Sequence, residues 1–95
     1  MVELRKRAYQ GQMDAQYNLG CFYYEGTGVE KNAELAVKWF EQSANQGHME
    51  AQCSLANCYG EGAGVEKNEV LAAKLYERSA KQGYVHAQQN LGLCY

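Results

Sequence analysis

Apolar residues recur every three or four positions along most of this chain, the spacing of helices with one buried stripe. Ala15, Leu19, Phe22 and Tyr23 set the first clear stripe and predict a helix over about 14–25. Leu35, Ala36, Trp39, Phe40, Ser43 and Ala44 set a second over about 33–46, and its counterpart covers about 69–82. Helices of the first kind restart near Glu50 and near His86. Leu4 and Ala8 place residues 1–10 in the closing turns of a helix of the second kind. No stretch alternates apolar and polar positions for long enough to make a strand. The expected fold class is all-α.

The stripes are copies of one another. Gly26-Thr27-Gly28-Val29-Glu30-Lys31-Asn32 returns as Gly62-Ala63-Gly64-Val65-Glu66-Lys67-Asn68, an offset of 36 residues. The same offset aligns Gly11, Gly47 and Gly83, then Ala15, Ala51 and Ala87, then Leu19, Leu55 and Leu91, then Tyr23, Tyr59 and Tyr95. A fixed period of this size marks stacked helix pairs. In each pair the first helix (A) ends at the Gly-x-Gly-Val turn, where the glycines allow a tight reversal and the valine plugs it into the core. Asn32 and Asn68 are then placed to cap the second helix (B). Leu35 and Leu71 stand where a full capping box would have Glu. Gly11, Gly47 and Gly83 supply the positive φ that ends each B helix. Gly20, with Ala56 and Gly92 at the same place, lets a second helix approach closely. The chain divides as one domain, 1–95: the end of a B helix at 1–10, repeats at 13–48 and 49–84, and a partial A helix at 85–95.

Composition removes several functions without choosing one. Ninety-five residues with 46% hydrophobic content are ordinary for a small globular domain. A net charge of −2, with Arg5-Lys6-Arg7 as the sole basic cluster, gives no footprint for nucleic acid or a membrane surface. No apolar run reaches the roughly 20 residues a membrane helix needs, and the first residues lack the apolar core of a secretory signal. Cys21, Cys53, Cys58 and Cys94 form no CxxC pair. Cys58 and Cys94 share a repeat position, which stacking should hold about 8–10 Å apart, beyond the roughly 7 Å that a disulfide spans. Reduced thiols are expected, and with them a reducing compartment such as the cytoplasm.

Leu19-Gly20-x-x-Tyr23 followed by Ala36-x-x-x-Phe40 is similar to the core of the tetratricopeptide repeat. That repeat closes on proline, whereas this chain has none and its period is longer. The Gly-x-Gly-Val turn that takes up the extra length resembles the Sel1-like repeat, and the resemblance covers almost the whole chain. Asn32 and Asn68 stand where that family usually has Asp, and Leu35 and Leu71 where Lys is common. The resemblance implies a right-handed α-α superhelix, a solenoid of about 2.5 helix-turn-helix repeats. It also implies a non-enzymatic adaptor whose A helices line a concave surface that holds partner proteins.

Where copies agree, geometry is served; where they differ on an exposed face, binding is the candidate reason. On helix A the differing positions lie on one face, expected to point away from Ala15, Leu19 and Tyr23. That face reads Asp14, Tyr17, Cys21 and Tyr24, then Glu50, Cys53, Asn57 and Gly60, then His86, Gln89 and Leu93. Tyrosines in such a place suit a groove for a protein or peptide. No catalytic, cofactor or metal site is expected, because neither His48 with Cys53 nor His86 with Cys94 shares a helix face closely. The Gly-x-Gly turn follows a helix rather than a strand and lacks the Lys-Ser/Thr of a phosphate loop. Leu91, Leu93, Cys94 and Tyr95 would leave an apolar end. The alternative to the adaptor is therefore a segment of a longer array, or copies that stack end to end as a homo-oligomer.

Overall fold

The computed structural model describes residues 2–83. They form α1 (Val2–Tyr9), α2 (Met13–Glu25), α3 (Ala33–Asn45), α4 (Met49–Glu61) and α5 (Glu69–Lys81). No strand occurs among the described residues. Each helix packs on its neighbours in chain order, α1 on α2, α2 on α3, α3 on α4 and α4 on α5. The architecture is an all-α solenoid, with α2 and α4 as A helices and α1, α3 and α5 as B helices. The partial helix expected at 85–95 lies outside the described residues, and so does the apolar end at Leu91, Leu93, Cys94 and Tyr95.

The turns form by the chemistry their residues carry. Gly26 and Gly62 adopt left-handed φ of 74° and 71° and donate their N–H groups to the Phe22 and Cys58 carbonyls, which ends α2 and α4. Asn32 N donates to the Tyr23 carbonyl at 2.9 Å and Asn68 N to that of Tyr59 at 2.8 Å, so each turn is tied back to the helix it leaves. The same asparagines accept from Leu35 N and Leu71 N at 3.1 and 3.0 Å, one half of a capping box. Gly11, Gly47 and Gly83 take φ of 92°, 93° and 91° after the B helices. Val65 packs against the main core, while Val29 is half-buried.

Helix α3 is shared between two cores. Trp39 turns toward Ala8, Ala15 and Leu19, and Val37, Phe40 and Ala44 turn toward α4 and α5. Val37, 3% exposed, joins the inner face alongside the expected residues. Gly20 permits a close crossing, because a Cβ built there would stand 2.7 Å from the Phe40 ring. Its counterpart Ala56 is fully buried, so the second repeat has room for a methyl group.

Two glutamines sit inside this apolar stack with every polar atom accounted for. Gln16 Nε2 donates to the Ala8 carbonyl and Gln52 Nε2 to the Ala44 carbonyl, both at 3.2 Å. Their Oε1 atoms accept from Gln46 and Gln82 at 2.7 and 2.8 Å. Ser43 and Ser79 add hydroxyl bonds to the Met13 and Met49 carbonyls. This ladder ties each A helix to the B helix before it and the B helix after it, so slippage between them breaks bonds as well as contacts. Gln52→Leu is expected to cost about 1–2 kcal/mol despite its gain in apolarity, because a buried bond to backbone is lost and Gln82 is left without its acceptor. Equilibrium urea denaturation checks this, and a Gln52→Leu protein as stable as the parent would show the ladder to be incidental.

Candidate functional site

The turn of α2 that carries Tyr17, Cys21 and Tyr24 faces α4 across a depression of about 200 Å³. Glu25 completes the α2 wall, Ser54, Asn57 and Glu61 form the α4 wall, and Phe40 of α3 lies beneath. Tyr17 stacks on the His48 ring at 4.8 Å and tilts against Phe40 at 5.9 Å. Tyr24 also tilts against Phe40, at 6.3 Å, and its hydroxyl donates to Glu61 Oε2 at 3.3 Å. The Tyr76 hydroxyl donates to Asn57 Oδ1 from the α5 side, which fixes the amide. Aromatic rings tilted on one another hold the depression open without a covalent link.

His48 locks one end of the site. Its Nδ1 accepts from Ala51 N at 3.1 Å, so it caps α4, and the proton on Nε2 points to Asp14 Oδ1 at 3.1 Å. The ring thus serves α4, Asp14 of α2 and Tyr17 at once. Sequence reasoning missed this role because 48 is a position where the copies differ, with Gln12 and Tyr84 as counterparts. A histidine one residue before a helical stripe was the available signal.

The structure corrects the geometry of the expected face. Positions 17, 21 and 24 turn toward the next repeat rather than outward, so Tyr17, Cys21 and Tyr24 are half-buried against the core. Cys53, expected on the surface, is 5% exposed and belongs to the core shared by α3, α4 and α5. On α4 the residues lining the depression are 54, 57 and 61, one helical position beyond the 53 and 60 of the expected stripe. Asp14 is exposed and Glu50 half-buried at its margin. Asn57 lines it. His86, Gln89 and Leu93 lie outside the described residues.

Electrostatics keep the site's acids protonated at the thiol and phenol positions. Burial pushes the Tyr17 phenol well up, with the Cys21 side chain adding to it. Burial also raises Cys21 and Tyr24, and the carboxylates of Glu25, Glu50 and Glu61 act in the same direction. A thiol held protonated is a poor nucleophile at neutral pH. Cys21, Cys53 and Cys58 are all free thiols. Among the described residues no cluster of three or more His, Cys, Asp or Glu could hold a metal ion, and no helix is long and apolar enough to cross a membrane.

Cys58, fully buried beneath the same wall, carries a stability consequence. Burial, helped by Glu61, pushes its thiol up to about 11. The folded chain therefore holds this proton more tightly than the unfolded chain, whose thiol titrates near about 8.5. The stabilisation is complete below about pH 8.5 and is lost as pH rises toward about 11, at a cost of about 3 kcal/mol. Melting temperature should fall over that window, and the gap between the parent and Cys58→Ala should close as pH rises. Parallel melting curves for the two proteins across the window would refute the assignment.

The sequence matches the Sel1 repeat family twice, over residues 14–48 and 50–84. The chain belongs to the Sel1 repeat family. A solved Sel1 repeat protein from Oxalobacter formigenes is 40% identical with a TM-score of 0.91, over 94% of this chain and 67% of that one. A protective antigen of uropathogenic Escherichia coli with an SLR fold is 39% identical with a TM-score of 0.94, over 97% of this chain and 20% of that one. Helicobacter pylori cysteine rich protein B is 26% identical with a TM-score of 0.86, over 93% of this chain and 66% of that one. A sel1-like repeat-containing protein of Acanthamoeba polyphaga mimivirus is 47% identical over 38 residues, 40% of this chain. That match spans 6% of the viral protein's length.

Proposed function

We propose that this chain is a non-enzymatic adaptor segment that holds a partner protein or peptide on its A-helix face, in the α2–α4 depression. The observation that carries the reading is the convergence of Tyr17, Cys21, Tyr24 and Asn57 on one opening over Phe40. Three of these belong to α2 and one to α4, so the site exists only when two repeats are stacked. Its two tyrosines offer large, half-buried aromatic surface with a polar tip, the makeup of an interface anchor. Sel1 repeat proteins generally mediate protein–protein interaction, which agrees with this use.

The test is affinity capture from source lysate with the parent chain, a Tyr17→Ala/Tyr24→Ala variant and Ser54→Arg. The double variant removes the anchors, and Ser54→Arg fills the opening while keeping the rings. Each must first show parental helical circular dichroism and a melt well above the assay temperature. A protein retained by the parent and lost by both variants supports the depression as the docking site. Retention unchanged in the two variants overturns it.

A further inference from the structure

The charges of this chain are sorted by helix. Helices α2 and α4 carry Asp14, Glu25, Glu50 and Glu61 and not one lysine or arginine. The basic residues sit on α1, α3 and α5, at Arg5, Lys6, Arg7, Lys38, Lys74, Arg78 and Lys81, or in the turns. Random placement would mix the signs, as α3 and α5 do with Glu34, Glu41, Glu69 and Glu77. The A helices therefore contribute only acidic side chains of their own, and the basic groups that reach them, such as Arg5 on the Tyr23 hydroxyl, come from neighbouring elements.

The depression gathers two of these acids. Glu25 and Glu61 stand on its two walls, both exposed, with the Tyr24 ring between α2 and α4 and its hydroxyl already on Glu61. About 200 Å³ is below the roughly 300–1,000 Å³ of sites that enclose a small molecule. It is the scale of a side chain from an extended segment. A guanidinium entering there would find a tyrosine face for cation–π contact and carboxylates for paired hydrogen bonds. An acidic segment would meet repulsion from both walls. We infer that the α2–α4 depression takes an arginine- or lysine-bearing segment of a partner protein, with Glu25 and Glu61 gripping the cation and Tyr17 and Tyr24 the flanking surface. This rests on the adaptor reading above and specifies the partner's chemistry.

The test uses a phage-displayed library of random peptides selected on the whole chain, with clones that also bind Tyr17→Ala/Tyr24→Ala or Ser54→Arg subtracted. The remaining pool should be richer in Arg and Lys than in Asp and Glu. A synthetic peptide from it should bind about tenfold more weakly to Glu25→Gln/Glu61→Gln, and more weakly as salt rises. The glutamines keep an acceptor for Tyr24, so folding is not at issue. A depression-dependent pool that is neutral or acidic, or one indifferent to the Gln variant, overturns the cationic partner and leaves the docking site standing. Absence of any depression-dependent pool overturns the docking site, and this inference falls with it.

Discussion

Phe40→Ala is expected to destabilise the chain by about 3–5 kcal/mol, the range for deleting a buried aromatic ring. Phe40 is 1% exposed and is the largest of the fully buried side chains. It meets Tyr17 and Tyr24 from below, sits against the Gly20 backbone, and belongs to the core that joins α3 to α4 and α5. Gly20 has no side chain with which to fill the space, and both tyrosines lose the ring on which they tilt. A small domain has only about 5–15 kcal/mol in total, so the variant should be partly unfolded at ambient temperature. Phe40→Leu keeps most of the volume and should cost far less. Urea denaturation of the pair checks this. A Phe40→Ala cost near that of Phe40→Leu would mean that the stack does not hinge on the ring, and that the floor of the depression is built otherwise.

That central role was legible only in part from the sequence. Phe40 was readable as core from its place in the B-helix stripe, and the helices, their caps and the Gly-x-Gly-Val reversals were readable because each rests on local chemistry that recurs at a fixed offset. The direction of the A-helix face was not. A helix in a stack has two flanks, one toward the preceding repeat and one toward the following, and periodicity within one helix does not separate either flank from solvent. Position 17 and position 53 are equivalent by offset, yet Tyr17 edges a depression while Cys53 is buried. Ser54 and Glu61 were passed over for the same reason, since their α2 counterparts, Asn18 and Glu25, play different parts. The glutamine ladder was visible in principle: Gln16 and Gln52 recur beside Ala15 and Ala51. A polar residue next to a buried stripe reads as surface until the carbonyls it serves, on the preceding B helix, are placed.

Gly64→Ala and Gly28→Ala should differ sharply, although the two glycines hold the same position in the same turn. Both have left-handed φ, 76° and 74°, so each alanine carries the conformational penalty of about 1–2 kcal/mol. Around Gly28 there is nothing within 4 Å of a built Cβ, and the penalty should be the whole effect. At Gly64 the added atom would stand 2.5 Å from both the carbonyl carbon and oxygen of Ala33 and 2.8 Å from Glu34 N. These are backbone atoms at the start of α3, held by the Asn32 cap, and they cannot swing aside as a side chain would. The turn after α4 must move off α3, which opens the contact between successive repeats, and the total should reach about 3–5 kcal/mol. Equal costs for the two substitutions would mean that the turn floats free of the preceding repeat. The expected inequality would instead show that one glycine serves only its own turn, while its copy also serves as the surface on which one repeat lies upon the next.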